Sequence, residues 1–444
     1  MTSHIAEKLS SHKNDIALKG EITVDGDKSI SHRALMFSAL AHGKSKITGL
    51  LEGEDVLKTA LALQNMGVEI KKNQDGSGIF NGSGVIGLVE PSDILDMGNS
   101  GTSSRLLAGL VSTYNFTSFF TGDASLRKRP MARVFEPIKE FGAKIIARQD
   151  NLMPFAIIGA KNPMPISYKM KMASAQVKSC ILLASLGVRG TTEIIEPEKC
   201  RDHTEIMMKH LGLKIDVTPF EKGNKISYNG LQEFDAKDLD VPGDISSASF
   251  LIVSALIVKG SQIKINNVGT NILRTGIITC LKEMGGKIEL QNERKINGED
   301  VADILVEYSQ LKAIEVPEER ASSMIDEYPI FAIACANASG TTKMNGLKEL
   351  KVKESNRLLM IAQNLKNCGV ELTMGDDYLE IKGGINQPKS RVKVSTSLDH
   401  RIAMSFLIMG LTLENGVEID DGSMIKTSFP TFTKIFANFG ILFN

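Results

Sequence analysis

The apolar and polar positions of this chain repeat. An octet that reads apolar, two residues, apolar, Gly, two residues, apolar occurs six times, as LQNMGVEI (Leu63–Ile70), IKEFGAKI (Ile138–Ile145), MKHLGLKI (Met208–Ile215), LKEMGGKI (Leu281–Ile288), LKNCGVEL (Leu365–Leu372) and FANFGILF (Phe436–Phe443). Its glycines are Gly67, Gly142, Gly212, Gly285, Gly369 and Gly440, separated by 75, 70, 73, 84 and 71 positions. The apolar pair three apart predicts the last buried turn of a helix, and the glycine the left-handed residue that closes it. The apolar residue after it opens an alternating strand.

A second pattern precedes each octet: a small or polar start, a long apolar run and a β-branched strand. It is clearest in HRALMFSALAHGKSKI (His32–Ile47), SSASFLIVSALIVKGSQIKI (Ser246–Ile265) and HRIAMSFLIMGLTLENGVEI (His400–Ile419). A helix that is apolar nearly all round is a buried helix. The unit is therefore strand, buried helix, strand, surface helix, strand, repeated six times in steps of about 74 residues. Solenoid repeats are usually shorter and carry little charge at their helix starts. Six units divide into two domains of three, with the polar stretch Glu233–Asp240 as the linker candidate.

Composition narrows the possible partners. Lys+Arg and Asp+Glu both number 52, so the formal net charge is zero, and a general binder of nucleic acid or of an anionic membrane is disfavoured. Aromatic residues are 5% and Trp is absent, which removes stacking on bases or sugars as a theme. Cys180, Cys200, Cys280, Cys335 and Cys368 are odd in number, widely spaced and free of a CxxC pair. That pattern fits a reducing compartment and neither a disulfide framework nor a zinc site. Met1 to Asp15 is polar, with no secretory apolar segment, and the longest apolar stretch, Ala248–Val258, is far too short to span a membrane. A cytoplasmic protein is expected.

The chemistry gathers where the buried helices begin. A helix start offers free N–H groups and about half a positive charge, so it attracts anions. The six starts carry Asp27–Lys28–Ser29 with Arg33; Gly98–Asn99–Ser100–Gly101–Thr102 with Arg105; Ser174–Ala175–Gln176; Gly243–Asp244–Ile245–Ser246–Ser247; Asp326–Glu327; and Asp399–His400–Arg401. Ser246 and Ser247 read as ordinary caps. Lys28 and Arg401 oppose the helix dipole, and a bound anion supplies the reason for them. Arg127 and Lys351 read as solvated charge. Lys353, Glu354 and Arg357 are spaced so that Lys353 and Arg357 share one helix face, which suits an anion contact and a surface ion pair equally.

At these residues the chain resembles the 5-enolpyruvylshikimate-3-phosphate synthase family. The resemblance rests on GDKSISHR, GNSGTSSR, GDASLRKRPM, ASAQVKS, RDHTE, SMIDEYP, KVKESNR and DHRIAMSF, in that order between Gly20 and Phe443. The spellings RDHTE, SMIDEYP and DHRIAMSF are closest to the glyphosate-insensitive bacterial class. It implies an α/β (α+β) chain folded as a two-domain inverse α/β barrel of six βαβαββ repeats, the enolpyruvyl transferase fold. Residues 21–240 would form the first domain and residues 1–20 with 241–444 the second, three repeats each, with the active site in the cleft between. The implied reaction moves the enolpyruvyl group of phosphoenolpyruvate to the 5-hydroxyl of shikimate 3-phosphate and releases phosphate. No metal, organic cofactor, nucleic acid or membrane takes part, and a monomer is expected.

The resemblance also assigns residues. Lys28, Ser29 and Arg33 match shikimate-phosphate positions, with Lys28 also at phosphoenolpyruvate. Ser174, Ala175, Gln176 and Arg201 match further shikimate 3-phosphate contacts, and Lys353 a contact on the shikimate side. Gly101, Arg129, Arg357, Arg401 and Lys426 match phosphoenolpyruvate contacts. Asp326 and Glu354 match the two catalytic carboxylates, with Asp326 as base for the hydroxyl, Glu354 as proton donor to the methylene and Lys28 as a candidate donor to the leaving phosphate. Two substrates that are both anions repel, and a cationic cleft offsets that repulsion. Gly101 stands where the insensitive class typically has Ala, whose methyl crowds glyphosate, and so leaves room for it; Lys426 is present where that class can lack a Lys. Glu349 replaces an Asn of other members. A UDP-N-acetylglucosamine enolpyruvyl transferase would carry a reactive Cys in its mobile loop, and Gly122–Arg133 has none. An anion-binding protein without catalysis would lack Asp326 or Glu354, and an RNA 3′-phosphate cyclase would favour a basic surface.

Overall fold

The chain was analysed as a computed structural model that describes residues 6–13 and 16–444. The reading of a polar N-terminus and of the segment 1–20 thus falls partly outside the described residues. The chain forms two compact units: Gly26–Val241 with Lys295–Glu299, and the segment ending at Asp25 with Pro242–Arg294 and Asp300–Asn444.

The Gly26–Val241 unit holds three helix pairs: α1 (Lys28–Leu40) with α2 (Glu54–Asn65), α3 (Gly101–Val111) with α4 (Ala132–Glu140), and α5 (Ala175–Leu186) with α6 (His203–His210). The other unit has α7 (Ile245–Ile257) with α8 (Gly276–Glu283), α9 (Tyr328–Ala336) with α10 (Arg357–Asn367), and α11 (His400–Met409) with α12 (Phe432–Asn438). The first helix of each pair is buried along nearly all its length, as its all-round apolar pattern predicts. The serines inside these helices bury their hydroxyls by donating one turn back, Ser249 Oγ to the Ser246 carbonyl (2.6 Å) and Ser254 Oγ to that of Phe250 (2.7 Å). A Cβ on Gly109 would lie 2.2 Å from the Cys180 carbonyl oxygen, so α3 and α5 meet backbone against backbone.

Each repeat lays its sheet over its buried helix. In the second, Leu95–Asp96 runs parallel to Thr117–Thr121, which pairs antiparallel with Leu152–Ile158, itself antiparallel to Lys144–Arg148. The third and fifth repeats share this order. In the first and fourth, the leading strand comes from elsewhere in the sequence. Leu239–Asp240 lies parallel to His42–Thr48 with Leu239 opposite Ile47, and Lys19–Thr23 lies parallel to Gln262–Gly269 with Gly20 opposite Ile263. With helices inside and sheets outside, this is the inverse α/β barrel architecture of six βαβαββ repeats.

The sixth repeat departs from its pattern. The octet Phe436–Phe443 predicts a strand after Gly440, but residues 441–444 form none. Leu9–Ser11 takes the place beside Val417–Ile419, antiparallel, and makes a three-stranded sheet with Val392–Val394. Two backbone bonds hold the chain end, Ser10 N to the Asn444 carbonyl (2.6 Å) and Asn444 N to that of Ser10 (3.1 Å). Phe443 stacks on Phe432 with ring centroids 5.3 Å apart. A partner supplied from the other end of the sequence cannot be seen in a local pattern.

All six octet glycines have positive φ, from 78° at Gly440 to 102° at Gly142. They differ in what surrounds them. A Cβ on Gly285 meets only the Gln310 carbonyl oxygen at 4.0 Å, whereas one on Gly369 would sit 2.0 Å from that of Asn386. Gly285→Ala should therefore cost about 1 kcal/mol of left-handed strain. Gly369→Ala should cost distinctly more, because backbone must also move. Urea unfolding of the two variants, which belong to the same unit, measures the difference.

Candidate active site

The starts of the buried helices fall where the sequence puts them, and five of the six are capped by a side chain. Asp27 accepts from Ile30 N (2.9 Å), Ser100 from Ser103 N (3.1 Å), Ser174 from Val177 N (3.4 Å), Asp244 from Ser246 N (2.7 Å) and Asp399 from Arg401 N (3.0 Å). The α9 start has no such cap and places Pro329 in its first turn, where the missing N–H costs nothing. Ser246 is therefore not the cap its position suggests. Its hydroxyl donates to Glu327 Oε1 and accepts from Arg274 Nη2 at 2.8 Å.

In the Gly26–Val241 unit, Lys28 opens α1 and its Nζ reaches Asp55 Oδ2 at 3.1 Å. The cation at this helix start thus has an acidic partner within the protein, at the first turn of α2, which the pattern alone did not reveal. Ser29 lies beside it and its carbonyl accepts from Arg33 Nη1 (2.8 Å). Arg33 is buried, and it also donates from Nε to Thr204 Oγ1 (2.7 Å) and from Nη2 to Ser179 Oγ (2.6 Å). Burial pulls its pKa down to about 10, against the attraction of Glu205, Asp27 and Glu299.

A second group surrounds Gly101, the first residue of α3. Arg105 donates to Gln176 Oε1 (2.9 Å), and Gln176 Nε2 to Thr102 Oγ1 (3.2 Å). Arg129 donates to Asn99 Oδ1 (2.6 Å) and Ser125 Oγ (3.2 Å). A Cβ on Gly101 would lie 2.8 Å from Arg105 Nη1 and 3.4 Å from Arg129 Nη1, so the glycine lets both guanidinium groups approach the helix start. Ser174 and Ala175 open α5, one residue before Gln176, and Arg201 precedes α6 in a half-buried position.

In the other unit the charged groups converge on Arg357. Its Nε donates to Asp399 Oδ2 (2.8 Å), Nη1 to Asp326 Oδ1 (3.2 Å) and Nη2 to Glu354 Oε2 (2.5 Å). Burial, which lowers an arginine, is outweighed by Asp399, Glu354 and Asp326, so the guanidinium is held firmly charged. Lys353 Nζ reaches the same Asp326 oxygen at 3.4 Å. Lys353 and Arg357 do not share a helix face: α10 begins at Arg357, and Lys353 ends the 3-10 turn Lys348–Val352. They meet at Asp326 instead. Arg401, near the start of α11, donates to the Asp326 carbonyl (3.0 Å) and lies 3.5 Å from Glu327 Oε1. Lys426 is exposed, and among the described residues its ion-pair partner is Glu7 Oε2 at 3.0 Å.

Two residues at these groups have partners that the sequence does not show. Asp55 has no distinguishing pattern around it, and Asp399 stands out only as part of the helix start Asp399–His400–Arg401, although it binds Arg357 as well as capping α11. Among the described residues no group of His, Cys, Asp and Glu has the arrangement of a metal site, and no helix is long and apolar enough to cross a membrane.

Solved structures place this architecture among the enolpyruvyl transferases. The enolpyruvyl transferase NikO from Streptomyces tendae superposes with a TM-score of 0.77 over 99% of both chains at 15% identity, a likeness of fold alone. EPSP synthase from Acinetobacter baumannii superposes with a TM-score of 0.87 at 42% identity, covering 98% of this chain and 99% of that one. The 3-phosphoshikimate 1-carboxyvinyltransferase of Paramagnetospirillum magneticum is 50% identical over 437 residues, 98% of each chain. The family model of EPSP synthase (3-phosphoshikimate 1-carboxyvinyltransferase) matches residues 13–436, and the chain belongs to that family.

The Arg357–Asp399 pair has a signature in acid. Burial pushes the Asp399 carboxyl up, but Arg357 prevails, helped by His400 and opposed by Glu354, and the carboxyl lies below its usual range. A carboxylate so lowered contributes stability in full above about pH 4 and loses it as the pH falls through the folded value. Asp399→Asn should cost about 3 kcal/mol at pH 7. The gap from wild type should shrink towards pH 3 in urea unfolding.

Proposed function

We propose that the chain transfers the enolpyruvyl group of phosphoenolpyruvate to the 5-hydroxyl of shikimate 3-phosphate, in the shikimate pathway to aromatic amino acids, and that residues of both units serve this one reaction. Membership of the family supports the reaction. The observation that carries the residue assignment is the convergence of Asp326 and Glu354 on the buried Arg357, with Lys353 on the same Asp326 oxygen.

The chemistry needs two proton movements. The 5-hydroxyl loses its proton as its oxygen attacks C2 of phosphoenolpyruvate, and the C3 methylene gains one. The resulting tetrahedral adduct then expels phosphate and returns a proton from its C3 methyl, which restores the enol double bond. Asp326, beside Lys353 and Arg357, is suited to remain an anion and act as the base. Glu354 supplies the methylene proton. An incoming carboxylate draws on the Arg357 guanidinium and loosens its hold on Glu354, which raises that carboxyl towards a proton donor. Lys28 serves the departing phosphate.

Arg129, Arg357, Arg401 and Lys426, with the open space at Gly101, receive phosphoenolpyruvate. Ser29, Arg33, Ser174, Ala175, Gln176, Arg201 and Lys353 receive shikimate 3-phosphate. The reading invokes no metal or organic cofactor, and the protein works as a cytoplasmic monomer. Its spellings ally it with the glyphosate-insensitive class, but Gly101 leaves room for the inhibitor.

Phosphate release from phosphoenolpyruvate tests the reaction. It should require shikimate 3-phosphate, and UDP-N-acetylglucosamine should not replace it. In the same assay Glu354→Gln and Asp326→Asn should each lower kcat by about 100-fold or more while KM values change little, and a near-normal rate in either removes the role assigned to that residue. Glyphosate should compete with phosphoenolpyruvate in the wild type. Gly101→Ala should weaken that inhibition, since the new methyl crowds Arg105 and Arg129.

A further inference from the structure

Lys178 is a buried cation that the proposed chemistry leaves unused. It lies one turn into α5, its side chain fully buried, and its ammonium has three acceptors: Glu205 Oε1 at 2.7 Å, Glu196 Oε2 at 2.9 Å and the Cys200 carbonyl at 3.0 Å. Burial, which lowers a lysine, is outweighed by Glu205 and the other neighbours, so Lys178 stays charged. Glu196 and Cys200 lie on the connection between the strand Thr191–Ile195 and α6, and Glu205 lies on α6 itself. Glu196 also takes Asn224 Nδ2 at 2.7 Å. Cys200 precedes Arg201. Glu205 is next to Thr204, which accepts from Arg33 Nε.

We propose that Lys178 is a positioning residue for the binding of shikimate 3-phosphate, acting through Arg201; this rests on the reading of Arg201 as a contact to that substrate. One ammonium ties the α5 start, which bears Ser174 and Gln176, to the segment that bears Arg201 and to the helix that anchors Arg33. A buried ion cluster is a poor way to gain stability, since apolar packing of the same volume does as well or better. What it provides is direction. One of the three N–H bonds fixes the Cys200 carbonyl, and with it the point from which the Arg201 side chain departs, while the other two fix the ammonium itself. A misplacement of about 1 Å at a charged contact can cost 100-fold.

The test is a double-mutant cycle. Two variants alter the cluster: the neutral triple Lys178→Met, Glu196→Gln, Glu205→Gln, and Lys178→Arg, which keeps the charge but moves the donors and stands in if the triple does not fold. Each is made with Arg201 and with Arg201→Ala, and KM is measured for both substrates. With Arg201 present, KM for shikimate 3-phosphate should rise about tenfold or more and that for phosphoenolpyruvate stay within about twofold. In the Arg201→Ala background the cluster variant should add less than about twofold. A merely structural role would add the same loss in both backgrounds, and that result overturns the proposal, as does an unchanged KM in a folded variant. Arg201→Ala alone probes the underlying reading. If it leaves KM for shikimate 3-phosphate unchanged, Arg201 is not a contact and the proposal falls with it, whereas a raised KM with additive losses overturns the positioning role alone.

Discussion

The start of a buried helix cannot itself be apolar. Its first N–H groups have no partners within the helix and must find acceptors. In this chain that requirement applies six times, because six helices are covered on all sides. The answer is the same short polar segment before each apolar run: an Asp or Ser cap at five starts and a proline at the sixth. The polar residues that a core would otherwise exclude are thereby gathered at the helix starts. Of the residues picked out by sequence, Lys28, Gly101, Ala175 and Arg401 lie within two residues after these caps and Asp326 lies just before the α9 start, whereas Glu354 stands apart, ahead of α10.

The cations at these starts are not left to the solvent. Lys28 faces Asp55, Arg401 lies by Glu327, and Arg357 is held by three carboxylates. A cation beside a positive helix end is costly, and an acid from a neighbouring element offsets that cost. The balance of 52 basic and 52 acidic residues is thus reproduced at close range. An anion entering such a group competes with a protein carboxylate for the same cation.

The repeat was legible because each octet states a local event, a helix end closed by glycine, and local events leave local patterns. All six glycines take the left-handed conformation accordingly. The motifs pointed to the family for the same reason, since each is a contiguous helix start. What could not be read joins distant segments. The pairing of Lys28 with Asp55 and of Arg357 with Asp399 depends on how helices pack, as does the meeting of Lys353 and Arg357 at Asp326. Helical spacing misled there, because Lys353 closes a 3-10 turn and three non-helical residues separate it from α10. The sixth repeat is of the same kind: no strand follows Gly440, and the last place in its sheet, beside Val417–Ile419, is taken by the distant Leu9–Ser11.

That long-range closure has a consequence for synthesis. Leu9–Ser11 and Lys19–Thr23 leave the ribosome long before their partners, Val417–Ile419 and Gln262–Asn266. At ordinary elongation rates Leu9–Ser11 waits on the order of tens of seconds for a mate. The Gly26–Val241 unit can fold long before, apart from Lys295–Glu299, which arrives later still. The nascent chain thus passes through a stage in which one barrel is largely built and two unpaired strands trail from its front. Such edges invite pairing with the wrong neighbour. The exposed Lys19, Glu21 and Thr23 along the second of these strands are well placed to keep it soluble until its sheet exists.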